Sequence, residues 1–283
     1  MYTSRLPFSS IQNDFLRLDY LKTTGPRVVG LFVQGIDGNL LAETPEAHWE
    51  TPHGEYYLHG GHRLWTAPED PYYTCPEDGL EVVEEHGTVI LRSPVDAAGL
   101  QKEITIDLEE NHVRVSHRVT WYGERPVRMA PWAITQFQLG GRAVLPLSKA
   151  KGLQPNRNLV FWPYSDLKDE RLELSDDEIA IHAYGTGRAF KVGSFNSSGW
   201  SAYRYGKVTL IKTFAVDGFE SLPDMGCNTQ VYVNDSCIEL ETLGAARLLN
   251  TGQSLELNEA WQVHVGNHAP ILESVHHSVG DYS

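Results

Sequence analysis

The stretch Val113-Arg114-Val115-Ser116-His117-Arg118-Val119-Thr120-Trp121 alternates apolar and polar side chains almost without a break. In an extended chain successive side chains point to opposite faces, so Val113, Val115, Val119 and Trp121 share one face and Arg114, Ser116, Arg118 and Thr120 the other. This is the pattern of a half-buried antiparallel strand. The same period continues outward in both directions. Ile104, Ile106 and Leu108 alternate with Thr105 and Asp107. Val208, Leu210 and Phe214 share a face with Lys212, and Ile211 lies opposite. Val231 and Val233 lead into Asn234-Asp235, after which Ile238 and Leu240 resume the alternation.

Turn clusters separate these runs: Gly35-Ile36-Asp37-Gly38, Tyr122-Gly123-Glu124, Gly140-Gly141, Asn234-Asp235-Ser236 and Asn250-Thr251-Gly252. Short strands with such punctuation predict an all-β fold, a large antiparallel β-sandwich. No segment carries a long, capped stripe of helical period, and Asp166 to Asp177 is the best place for a helical turn or loop. The stretch from Thr44 to Asp78, rich in Pro, Gly, His and aromatics, reads as a long functional loop. With no internal repeat and no low-complexity linker, residues 1–283 are expected to form a single domain, with the pattern fading after His264 and a frayed tail at 278–283.

The formal net charge of −14 lacks the basic footprint that a phosphate backbone or an anionic membrane surface requires, so nucleic acid and membrane are not expected partners. The three cysteines, Cys75, Cys227 and Cys237, match no zinc or redox spacing and are too few for a disulfide scaffold. No leader pattern opens the chain and no window has the length of a membrane span, so a cytoplasmic location is expected. Walker A, Gly-x-Gly-x-x-Gly, Gly-x-Ser-x-Gly and His-Glu-x-x-His motifs are absent, which removes the commonest nucleotide, serine-hydrolase and zinc-protease readings.

Four groups of residues could carry chemistry. In Tyr56-Tyr57-Leu58-His59-Gly60-Gly61-His62-Arg63-Leu64-Trp65, imidazoles that can move protons near neutral pH and a guanidinium fork flank two glycines that permit a sharp turn or a close backbone approach. A plain structural turn competes with this. A metal set of His53, His59 and His62 is the weaker rival, because Gly-Gly breaks the helix that usually presents such histidines together. In Cys237-Ile238-Glu239-Leu240-Glu241-Thr242-Leu243-Gly244 a strand would put Glu239 and Glu241 on one face, about 7 Å apart, with Ile238 and Leu240 behind. They are either a solvated edge or, on a concave face, a general base with its neighbour. Leu222-Pro223-Asp224-Met225-Gly226-Cys227-Asn228 offers Asp224 and Asn228 to sugar hydroxyls or to its own turn. In Ala130-Pro131-Trp132, Trp132 is either a stacking platform or core.

Together these stretches resemble the aldose 1-epimerase (galactose mutarotase) superfamily. Leu58-His59-Gly60-Gly61 resembles that family's Leu-His-Gly-Gly stretch, and Leu240-Glu241-Thr242 its Leu-Glu-Thr stretch near the C-terminus, which carries the catalytic base. Residues 59–69, Pro131-Trp132-Ala133, Trp162-Pro163-Tyr164-Ser165-Asp166 and Pro223-Asp224-Met225-Gly226-Cys227 are similar to an uncharacterised branch of it. The resemblance implies a galactose mutarotase-like supersandwich that binds a small carbohydrate in an open cleft, without cofactor or metal. It implies Glu241 as base; His59, in the matched Leu-His-Gly-Gly stretch, or His62, which has no counterpart in the family, is the expected acid, and Arg63, Trp132, Asp224, Asn228 and Glu239 are the expected sugar contacts. The epimerases' acid histidine follows an Asn in mid-chain. Here Ala130-Pro131-Trp132 takes that place, so a non-catalytic carbohydrate-binding protein, or a sugar-active lyase or hydrolase on the same sandwich, stands as the alternative.

Overall fold

A computed structural model describes residues 6–149 and 152–266; the expected frayed tail lies outside them. The strands, in chain order, are β1 (Phe8–Gln12), β2 (Leu16–Leu21), β3 (Arg27–Val33), β4 (Glu43–Thr51), β5 (Gly54–Gly60), β6 (His62–Ala67), β7 (Glu81–Glu85) and β8 (Thr88–Arg92). There follow β9 (Leu100–Glu109), β10 (His112–Trp121), β11 (Val127–Phe137), β12 (Arg142–Pro146), β13 (Val160–Phe161), β14 (Leu172–Leu174) and β15 (Glu178–His182). The last are β16 (Phe190–Ser194), β17 (Trp200–Tyr205), β18 (Val208–Phe214), β19 (Thr229–Val233), β20 (Ile238–Leu243), β21 (Arg247–Leu249) and β22 (Ser254–Val265). The first sheet runs β1-β2-β3-β6-β11-β20-β19-β16-β13, with β21 beside β11. The second runs β14-β15-β12-β17-β18-β22-β10-β9-β8-β7. Every pairing is antiparallel.

The core lies between the two sheets, where the period-two reading places it. From β10, Val113, Val115 and Val119 point inward while Arg114, Ser116 and Arg118 are exposed. They pack with Ile104 and Ile106 of β9 and Leu210 of β18, and against Leu18, Leu64, Phe137, Ile238 and Leu240 of the facing sheet. A second apolar cluster covers the outer face of the first sheet. Trp65, Ala130, Trp132, Ile134 and Leu243 gather there under Tyr56 of the β4–β5 hairpin. The middle of the first sheet is therefore buried on both faces, which its β6 sequence shows as an unbroken buried run.

The 44–78 stretch departs from the expected loop. It forms the β4–β5 hairpin, then β6 in the middle of the first sheet, then a single 3-10 turn at Pro71–Tyr73. Gly60 and Gly61, at φ 89° and 73°, turn the chain from hairpin into sheet. A Cβ at either would run into the carbonyl oxygen of Ala42 or of Val28, so the glycine pair is required by this close passage. The 166–177 segment holds β14 and no helix.

Candidate functional site

Alternation along β20 decides what each residue does. Ile238 and Leu240 enter the core, and Glu239, Glu241 and Leu243 point to the outer face of the first sheet. Register extends that face sideways. Gln136, Ile134 and Trp132 of β11 stand opposite Glu239, Glu241 and Leu243, with Arg63 and Trp65 of β6 beyond them. On the other side Tyr232 and Gln230 of β19 stand opposite Glu239 and Glu241, with Lys191 of β16 across from Tyr232.

The Glu241 carboxylate is fully buried. Its Oε2 accepts from Trp132 Nε1–H at 2.8 Å and from the Lys191 ammonium at 2.9 Å. That ammonium also lies 4.5 Å from the Trp132 ring centre and 4.7 Å from that of Trp162, between two aromatic faces. Burial pushes the Glu241 carboxyl up; Lys191 pulls it back, the Glu239 charge adds to the rise, and the result is about 7. Beside it, Arg63 donates to Glu239 at 3.0 Å and stacks on Trp65 at 4.4 Å. Trp162-Pro163-Tyr164 lies over this face. The Tyr164 ring is 6.4 Å from that of Tyr232, and burial with the charges of Glu241 and Glu239 raises its phenol. On the other side Tyr164 lines a cavity of about 420 Å³ with Asp166, Asp169, Thr186 and Arg188.

Several buried polar atoms on the face have no partner among the described residues: Glu241 Oε1, Arg63 Nε and Nη1, Gln136 Oε1 and Gln230 Oε1. Buried polar groups are normally paired. One sheet face holding acceptors and donors together in this state fits a polyhydroxylated ligand, whose hydroxyls can do both.

The other residues named from the sequence are placed as follows. Trp132 is buried as a donor to Glu241, so it is neither an exposed platform nor simple core. Asp224, at φ 48°, accepts from Gln230 at 2.7 Å and so holds a member of the face. Asn228 does not reach toward a ligand, since its side chain accepts from the Asn196 N–H and donates to the Asn196 carbonyl. His59 stacks on Tyr57 in a cavity of about 300 Å³ with Glu55, Pro76 and Glu77. Burial and Arg27 bring it down to about 4. Tyr56, Trp65 and Trp132, in successive ring contact, lead from that region toward Glu241. The expected open cleft is also corrected: neither Glu241 nor Lys191 is exposed by more than 4%.

His62 is the largest correction. It neighbours Arg63 on β6 and therefore faces the opposite way, into the core between the sheets. There His117 Nδ1 must donate to the Leu257 carbonyl at 2.7 Å, which leaves its Nε2 as the acceptor for His62 Nε2–H at 2.7 Å. His62 Nδ1 then accepts from Thr135, whose oxygen accepts from Lys212 at 3.0 Å. Lys212 also meets Glu259 at 2.8 Å, and Trp261 donates to the same carboxylate at 2.8 Å. His62, His117 and Glu259 are the set among the described residues whose ligand atoms converge as a metal site would need, within 4.8 Å. A cation there would have to displace both the shared imidazole proton and Lys212, and as it stands every donor in the chain meets an acceptor. His53, on Tyr72, and His59, on Tyr57, lie in separate environments from His62.

Burial holds His62 well below 6.5 and lowers His117, so both are neutral in the folded chain. The unfolded chain binds protons below about 6.5 that the fold refuses, so this stability is complete above that pH and is lost as pH falls below it. Between about pH 7 and pH 5 the Tm of the wild type is expected to fall relative to that of a His62→Gln, His117→Gln double variant. Parallel slopes would exclude the histidines as the cause.

Lys191, Gln230, Gln136 and Tyr232 are members of the face that the sequence reading missed. The signal for Lys191 was there: Phe190 and Val192 are core residues on either side of it, so its side chain had to face outward from the same sheet as Glu241.

Comparisons place this architecture. No family model matches the chain, and no curated protein matches it. Solved structures do. A galactose mutarotase-like protein from Lactobacillus casei ATCC 334 is 10% identical over 91% of this chain and 100% of its own, with a TM-score of 0.53. A galactose mutarotase related enzyme from Lactobacillus acidophilus is 9% identical over 92% and 98%, with a TM-score of 0.51. A protein from Escherichia coli K12, provisionally assigned as an aldose 1-epimerase, is 13% identical over 92% and 99%, with a TM-score of 0.53. At these identities the likeness is one of fold. No helix among the described residues is long and apolar enough to cross a membrane.

Proposed function

We propose that this chain, whose fold is that of the galactose mutarotase-like structures, binds a neutral aldose on the outer face of its first sheet and interconverts the sugar's anomers with Glu241 as base. One observation carries the reading. Glu241 is a buried carboxylate with Oε2 fixed by Trp132 and Lys191 and with Oε1 unpartnered, amid unpartnered atoms of Arg63, Gln136 and Gln230. A base that works near neutral pH needs a pKa near neutral, and burial supplies it here. The charges on the face cancel in pairs, Arg63 with Glu239 and Lys191 with Glu241, which leaves no net positive charge for a phosphate or a carboxylate. A neutral sugar is the ligand class that fits. Entry requires the cover over this face to open, since Glu241 has no exposed surface.

Polarimetry of freshly dissolved α-glucose and α-galactose, with and without protein, tests this directly. Faster equilibration of an aldose is the expected result. Calorimetric binding without faster equilibration makes the chain a non-catalytic sugar-binding protein, and neither effect on any of a panel of aldoses ends the reading.

A further inference from the structure

We propose that Lys191 is the general acid of this site, giving its proton to the ring oxygen of the bound aldose while Glu241 removes one from the anomeric hydroxyl. The inference rests on the reading of Glu241 as base. The ring oxygen and the anomeric hydroxyl oxygen share one carbon, so an acid and a base that serve them must be neighbours on one surface. His62 is excluded by its direction, and the described contacts of His59 are with Tyr57. Arg63 is occupied by Glu239, and a guanidinium does not release protons in this range. Lys191 Nζ lies 2.9 Å from Glu241 Oε2 and is 4% exposed.

The surroundings of Lys191 fit a proton donor. Its ammonium lies between two indole faces and against a carboxylate, so its N–H groups are held at one place on the face. Its backbone is fixed as well as its head. Lys191 N–H donates to Ser165 Oγ at 2.8 Å, and the Ser165 hydroxyl donates to the Lys191 carbonyl at 2.7 Å. The same loop therefore brings Trp162 to the ammonium and holds the strand that carries it.

The step balances without a further reactant. The Glu241 carboxylate takes the proton of the anomeric hydroxyl, and that oxygen forms the carbonyl. The bond between the anomeric carbon and the ring oxygen breaks, its electron pair goes to the ring oxygen, and that oxygen takes a proton from Lys191. The carbonyl end rotates. On closure the hydroxyl that was the ring oxygen attacks the other face and returns its proton to the Lys191 amine, while the new anomeric oxygen recovers a proton from Glu241. Both side chains end as they began.

Two variants test the assignment on the full chain, with anomer exchange followed by NMR magnetisation transfer and sugar binding by calorimetry. Lys191→Arg keeps a cation beside Glu241 but cannot pass on a proton. It is expected to keep its melting temperature and sugar affinity and to lose about 10²–10⁴-fold in exchange rate. Lys191→Ala is expected to lose as much, and added methylammonium to restore part of the rate. Exchange within about tenfold of wild type in either variant, or a loss in Lys191→Ala that methylammonium leaves unchanged, overturns the proposal. Wild-type exchange in those same experiments separates this from a failure of the base assignment: if the wild type speeds no aldose, both fall together.

Discussion

Glu241→Gln is expected to fold and to lose anomer exchange by about 10²–10⁴-fold, the usual contribution of one positioned proton transfer. The amide is nearly isosteric with the carboxylate and can still accept from Trp132 and Lys191, but it is not a base. Glu239→Gln is expected to have a smaller effect, since Glu239 acts through its hold on Arg63 and its charge beside Glu241. Melting is measured first, so that lost folding is not taken for lost chemistry. The pH dependence sharpens the test. A base with a pKa of about 7 is active above that value, so wild-type exchange rises as pH passes through it. Stability runs the other way. A carboxyl whose folded pKa is raised above the usual 4.5 contributes stability that is complete below 4.5 and is lost as pH rises through about 7. The difference in Tm between Glu241→Gln and wild type should therefore grow in favour of the variant as pH rises. Exchange that survives in Glu241→Gln but vanishes in Glu239→Gln would show that the two glutamates have been assigned the wrong way round.

Lys212→Met should be the most destabilising single change in the core, at about 3–5 kcal/mol in urea unfolding near neutral pH. Lys212 and Glu259 are both buried at 2.8 Å. Burial alone would raise the Glu259 carboxyl, yet the Lys212 ammonium holds it below its ordinary value, so it stays charged. Removing the lysine leaves that charge in the core without a counter-charge beside it, and also takes a donor from Thr135 and from the Leu240 carbonyl. A second change, Glu259→Gln, should recover much of the loss, because it removes the stranded charge. A cost below about 1 kcal/mol for Lys212→Met would mean that Glu259 is protonated in the fold, and the ion pair would have to be discarded.

What was legible in the sequence is what depends on alternation alone. The faces of β9, β10, β18 and the β19–β20 hairpin follow from period two, and so does the common direction of Glu239 and Glu241. The failures have two causes. Inside the Leu58–Trp65 run the cause is parity: His62 and Arg63 are neighbours on one strand, and they cannot both serve one face. The glycines, prolines and aromatics of 44–78 suggested a loop, whereas here they build a hairpin that folds back over the sheet and a strand buried on both sides. The second cause is distance. The unpaired oxygen of Glu241, the Lys191 ammonium over it and the Trp162 ring above that come from residues 50 and 29 positions apart or more in the chain, and no local pattern joins them.

The division of labour along β20 has a consequence for how such a protein can change over generations. Residues 238, 240 and 242 look inward and residues 239, 241 and 243 outward, so point substitutions that retune the ligand leave the jigsaw behind them untouched. A lineage can drift from one sugar to another, or from turnover to mere capture, while its scaffold stays intact. Insertion or deletion of a single residue has the opposite character. It would turn both glutamates into the hydrocarbon interior and Ile238 and Leu240 out among the polar groups, damaging chemistry and framework in one stroke. Families descended from such an ancestor should accordingly diverge freely in the identity of these side chains and scarcely at all in the length of the strand that bears them.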